Sequence, residues 1–128
     1  MITLCIRTDK PTSELYVFNG SDCIASEQWE AHRSLAETIH KKIDELLKHE
    51  SLSLKDIEKV VIFQGPGSFT GLRIGMSVVN ALGFALQIPV IAAQGEDWLS
   101  EVNGATPGIF IPQVPIYGAD PHITQQKK

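Results

Sequence analysis

The residues from Gln64 to Gly75, "QGPGSFTGLRIG", hold four glycines, a proline, two hydroxyls and a cation directly after the apolar run "VVIF". A glycine loop between a strand and a helix suits an anion, because free amides at the helix start point outward and the helix dipole favours negative charge there. Gly65 and Gly67 would let the backbone approach such a ligand. Ser68 and Thr70 would add hydroxyls, and Arg73 a positive charge. The pattern is not a P-loop, since Leu72-Arg73 stands where that motif requires Lys-Ser/Thr. It is not the dinucleotide fingerprint either, since Thr70 occupies the place of the third glycine. The same residues also describe a tight strand-to-helix turn, in which glycine supplies backbone angles other residues resist. Spacing alone leaves both readings open.

The rest of the chain offers little for catalysis. His32, His40, His49 and His122 are scattered. No His-Glu-x-x-His, Cys-x-x-Cys or Gly-x-Ser-x-Gly element is present, so neither a catalytic set nor a metal-ligand set is identified. Asp9, Asp22 and Asp56 read as turn or cap residues. A net charge of −4 without a basic stripe argues against tRNA or DNA binding by the chain alone, since phosphate contacts dominate that affinity. Cys5 and Cys23 are too few for a disulfide framework and read as buried thiols. With no signal-peptide pattern and no run of 18 apolar residues, a cytoplasmic protein without a membrane span is expected.

The elements that would position the glycine loop follow from periodicity. "ITLCIR" alternates as a strand. "ELYVF" and "CIASEQW" flank Asn19-Gly20, a hairpin signal because both residues tolerate positive φ. Ser34 and Glu37 have capping-box spacing, and Leu35, Ile39, Ile43 and Leu47 repeat every four residues, predicting an amphipathic helix over Ser34–His49. "SLSLKDIE" predicts a short capped turn from Ser53. "KVVIF" reads as an interior strand, and a second helix is predicted from about Thr70 to Leu86. "PVIAA", a short helix at "EDWLSEV", and a strand at Ile109–Ile111 complete the order. The predicted fold is α/β, a mixed sheet in βββαβαβ order with helices on its faces. Residues 1–104 form the domain and residues 105–128 a short strand and extended tail.

The second helix is apolar almost all round, which predicts burial on more than one side. Gly71, Gly75, Val79 and Gly83 fall four apart on one stripe, although each glycine costs a helix roughly 1 kcal/mol relative to alanine. Such a stripe predicts close approach by another backbone. Either the first helix fills that space or a partner chain packs over both helices.

"GPGSFTGLRIGMSVVNALGFALQIPV" resembles the TsaB (YeaZ) family, and the likeness extends over about residues 1–100 through "HRSLAETIHKKIDELL" and "LSLKDIEKVVIF". The resemblance implies an actin/Hsp70/sugar-kinase-like, ribonuclease H-like half. It implies a non-catalytic scaffold that pairs with TsaD, the transferase for threonylcarbamoylation of tRNA adenosine beside the anticodon, with the ATPase TsaE in a larger complex. It implies tRNA contact only indirectly, no cofactor in the isolated chain, and ATP only within the complex. Pairing would use the first two helices, which assigns Leu35, Ile39, Gly71, Gly75, Met76, Val79 and Gly83 to the interface. The loop residues Gly65, Gly67, Ser68, Thr70 and Arg73 are kept as a secondary anion or nucleotide candidate. Two departures qualify the likeness. The family's first strand usually ends Asp-Thr-Ser, where this chain has Arg7-Thr8-Asp9, which argues against metal-bound ATP. Members also usually carry a second domain, whereas here "PQVPIYGADPHITQQKK" resembles the family's C-terminus, as though the second domain were absent from the interior. The alternatives are a small phosphotransferase-like nucleotide-binding protein of the same superfamily and a homodimer without TsaD.

Overall fold

Strands Ile2–Arg7 (β1), Thr12–Asn19 (β2) and Asp22–Glu30 (β3) form an antiparallel meander in the computed structural model, which describes residues 1–104 and 110–114. Gly20, at φ 63°, makes the β2–β3 turn as the Asn-Gly pair predicts. Helix α1, Leu35–His49, then returns the chain to Lys59–Phe63 (β4), which pairs parallel with β1. Helix α2, Phe69–Leu86, returns it again to Val90–Ala93 (β5), parallel to β4. The sheet order is β3-β2-β1-β4-β5, so β1 and β4 lie inside, and every residue of β4 is buried. This is the mixed βββαβαβ sheet read from the sequence.

Both sheet faces are covered, which explains why β1 is buried at Cys5 as well as at Leu4 and Ile6. Leu4, Ile6, Leu15 and Val17 pack with Ile39, Ile43 and Leu47 of α1 and Met76 and Val79 of α2. On the other face Cys5, Phe18, Val61 and Phe63 pack under Trp98. Trp98 belongs to a 3₁₀ turn, Trp98–Asn103, where the sequence predicts a short helix. Lys59, fully buried, holds that turn down: its Nζ donates to the carbonyls of Glu101 (2.9 Å) and Val102 (3.1 Å). Sequence periodicity gives no sign of this buried cation.

Local details differ from expectation. The Ser34–Glu37 capping box does not form. A 3₁₀ turn, His32–Ser34, precedes α1, and the Ser34 hydroxyl donates instead to the Ala31 carbonyl at 2.6 Å. The Ser53–Asp56 turn is capped on both sides as predicted. Cys23 is exposed, not buried, because it stands at the start of an edge strand. Ile109 of the expected last strand lies outside the described residues, as does most of the tail. Phe110–Val114 is not part of the sheet. It lies on α2, where the Asn80 side chain donates to the Gln113 carbonyl and accepts from its N–H, both at 2.9 Å.

Cys5 gives a pH prediction. Burial pushes its thiol up to about 12 from an ordinary 9.0, with Cys23 adding to the shift and Lys59 opposing it. Below pH 9 the thiol is protonated both folded and unfolded, so the full stability is present. Above pH 9 only the unfolded chain ionises, and stability falls until the folded thiol also titrates near 12. The slope from this group approaches about 1.4 kcal/mol per pH unit. Urea unfolding of the wild type and Cys5→Ala between pH 8 and 11 is expected to show a steeper alkaline decline in the wild type. Parallel declines would remove Cys5 as the cause.

Candidate functional site

The glycine loop approaches its own chain. Ser68 N–H donates to the Asp9 carbonyl at 3.0 Å, and the Thr8 hydroxyl donates to the Gly71 carbonyl at 2.8 Å. A Cβ added at Gly67 would stand 2.4 Å from Asp9 Cβ. At Gly71 it would stand 2.1 Å from the Thr8 carbonyl oxygen, and at Gly75 2.2 Å from Thr8 Oγ1. These distances lie far inside van der Waals contact, so the three glycines are required by the end of β1. Gly65 adds a φ of 119° that L side chains rarely adopt. Further along α2, a Cβ at Gly83 would meet Phe110 at 2.5 Å and Val90 at 2.7 Å.

The stripe is therefore internal. Leu35, Ile39, Met76 and Val79 are at most 3% exposed, and Gly75 and Gly83 are buried with them. Leu35, Ile39, Gly71, Gly75, Met76, Val79 and Gly83, expected at an interface, are placed by the structure against the chain's own sheet and Phe110. Within the chain, the end of β1, Val90 of β5 and Phe110 lie over the stripe. The physical reason is the β4–α2 connection. Its short loop sets the first turns of α2 directly over the C-terminal end of the neighbouring strand β1, where only glycine leaves room.

The charged groups at the end of β1 pair with each other. Arg7 clasps Asp9 with two bonds, Nε to Oδ1 at 2.7 Å and a terminal nitrogen to Oδ2 at 3.1 Å, and its guanidinium lies 3.9 Å from the centre of the Phe63 ring. The bond to Asp9 is the main cause holding the Arg7 pKa above its ordinary value, against the opposing effect of burial. The Asp9 carboxylate is thus engaged by a fixed positive charge within its own strand end. Among the described residues no group of three or more His, Cys, Asp or Glu side chains is placed to hold a metal.

Of the loop candidates, Gly65, Gly67 and Ser68 serve this strand-to-helix junction, with the Ser68 hydroxyl accepting from Gly71 N–H at 3.4 Å. Thr70 and Arg73 reach the helix surface, Thr70 bordering a cavity beside Ser68 as well. They join Ala36, His40, Ile74 and Ser77 along a groove of about 430 Å³ between α1 and α2 on the face away from the sheet. Arg73 sits 5.4 Å from the Phe69 ring centre, and Phe69 and Phe84 are 53% and 70% exposed. By length and composition α2 is apolar enough to cross a bilayer. Here one side of it seals the core, and its other side presents small and apolar residues at the surface. Ala36, His40, Ile74 and Ser77 were missed from the sequence. The available signal was the stripe one step round from the glycines, Thr70, Arg73 and Ser77, which falls on the helix side opposite the core.

Comparison with known proteins places these features. Residues 27–116 match the family described as TsaD, tRNA N6-adenosine threonylcarbamoyltransferase. The chain is 38% identical over 61 residues to a tRNA threonylcarbamoyladenosine biosynthesis protein TsaB of Haemophilus influenzae, covering 48% of this chain and 26% of that one. It is 31% identical over 70 residues to the Bacillus subtilis TsaB, covering 55% and 31%. The chain thus spans about a quarter to a third of the length of these relatives. Among solved structures, YeaZ from Pseudomonas aeruginosa superposes with a TM-score of 0.68 at 28% identity, over 73% of this chain and 43% of that one. The superposition supports the ribonuclease H-like half implied by the resemblance. Matched over most of its length to a threonylcarbamoyltransferase family and built on the YeaZ sheet, the chain belongs to the TsaB/YeaZ family.

Proposed function

We propose that the chain is a non-catalytic scaffold in the synthesis of threonylcarbamoyladenosine in tRNA, and that it pairs with TsaD through the outward face of α1 and α2. The observation that carries this reading is the groove between the two helices, together with the exposure of Phe69 and Phe84 on α2. Apolar residues recurring along a helix face are the usual means by which one helix pair seats on another. Ala36, Ser77 and Ala81 keep the surface low enough for a second pair of helices to approach. His40 and Arg73 give the groove two basic groups that an acidic partner face would match. The family membership directs the choice of partner, since the relatives are named for this modification.

A scaffold of this kind holds TsaD in a working arrangement without contributing a group to the reaction. The Arg7–Asp9 clasp fits that role, because a carboxylate bound to a guanidinium is not available to a nucleotide-bound metal. The test is reconstitution with TsaD and TsaE from the same source. Modification of an ANN-decoding tRNA is expected to require this chain. Undiminished activity without it would overturn the proposal.

A further inference from the structure

A second cavity, of about 270 Å³, lies between the β1–β2 turn, the 3₁₀ turn before α1 and the first turn of α2. Lys10, Ser13, Arg33, Ser68 and Thr70 line it, with Ile74 on one wall. Ser13 shares its strand face with Leu15 and Val17, which lie in the core beneath the helices, so its side chain is directed to the helix side of the sheet. Ser13 is fully buried, and its hydroxyl has no hydrogen-bond partner among the described residues. A buried hydroxyl without a partner is costly, on the order of 1–3 kcal/mol. It stands beside a cavity whose other polar contributions are two cations, two hydroxyls and the N-terminus of the 18-residue α2. Among the described residues no carboxylate lines the cavity; Glu14 lies nearby, engaged with Lys10 at 3.6 Å.

We infer that this cavity is a binding site for a phosphate group, free or as a small phosphomonoester. Positive charge, hydroxyl donors and a helix N-terminus are the combination that recognises a tetrahedral oxyanion. At about 270 Å³ the cavity is at the small end of ligand pockets, a size that suits a phosphate or a small phosphomonoester. Ser13 is the donor at its floor, and Lys10 and Arg33 supply charge at its mouth. The cavity adjoins the Ser68–Asp9 junction and shares Thr70 and Ile74 with the groove proposed for TsaD, so phosphate binding is read on the isolated chain, without TsaD.

The experiment is thermal unfolding of the isolated chain titrated with inorganic phosphate or with ribose 5-phosphate, against chloride at equal ionic strength. A saturable rise in melting temperature beyond that of chloride is expected with phosphate. An equal or larger rise with the ester assigns the site to a phosphomonoester; no rise with the ester assigns it to free phosphate. Arg33→Met, on the surface, is expected to weaken the phosphate Kd about tenfold or more while the ligand-free chain melts as before. Ser13→Ala is expected to melt at or above the wild type without phosphate, since it removes an unpartnered buried hydroxyl, and to lose most of the phosphate-dependent rise. No effect beyond chloride in the wild type, or a full phosphate response in Arg33→Met, would overturn the inference.

Discussion

Gly75→Leu is expected to leave the chain largely unfolded at room temperature. Leucine is the better helix former by most of a kcal/mol, and propensity alone would predict a higher melting point. The structure reverses that expectation. Even a lone Cβ at this position stands 2.2 Å from Thr8 Oγ1 and 3.2 Å from Thr8 Cβ and Cγ2, and Thr8 is fully buried with its hydroxyl committed to Gly71. Overpacking a filled core costs typically about 1–3 kcal/mol, more when backbone must move. A leucine here would have to separate α2 from β1, against a total stability of about 5–15 kcal/mol for a domain. The diagnostic is a pair of backgrounds. Gly75→Ala alone should lower stability. Combined with Thr8→Ala, which removes both Oγ1 and Cγ2, most of that cost should vanish, a coupling on the order of 2 kcal/mol. Gly71→Ala should gain no such relief, because its obstacle is the Thr8 carbonyl oxygen at 2.1 Å, which no side-chain change removes. Urea unfolding of the single and double variants measures both. A Gly75→Leu chain melting at or above the wild type would show that the stripe does not face β1.

The opposite behaviour is expected at Ser77, half a turn away. Ser77 is exposed on the groove between α1 and α2, so Ser77→Arg should alter the stability of the isolated chain by no more than about 0.5 kcal/mol. If TsaD seats on this face, the arginine holds the partner off and brings a charge into a contact meant to exclude water. A penalty of about 1–3 kcal/mol corresponds to a tenfold to hundredfold loss of affinity. Titration calorimetry with purified TsaD reads it directly. Lys48→Ala, on the polar face of α1 where Lys48 pairs with Asp44 at 3.0 Å, should leave both stability and affinity unchanged. Wild-type affinity in a folded Ser77→Arg chain would place the docking face elsewhere. The two positions together separate a glycine required by the fold from a small residue required by a contact.

The sequence by itself determined the elements and their order. Alternation in "ITLCIR", the Asn19-Gly20 turn, the four-residue repeat from Leu35 to Leu47 and the uninterrupted apolarity of "KVVIF" are local signals. Each is set by which face of a strand or helix must leave water. The family resemblance in "GPGSFTGLRIG" was equally legible, because the motif is contiguous. Tertiary structure alone decided what those glycines touch. Gly71 and Gly75 lie more than sixty residues from Thr8, and nothing in the α2 sequence distinguishes a stripe cleared for a strand end from one cleared for a partner helix. The same holds for Lys59, whose cation lies inside because the backbone carbonyls of Glu101 and Val102 reach it from over forty residues away. Ser13 could not be known from its strand position to lack a partner, since that depends on which groups the helices bring over it. Periodicity reports which side of an element is buried; the identity of what buries it is a property of the assembled layers.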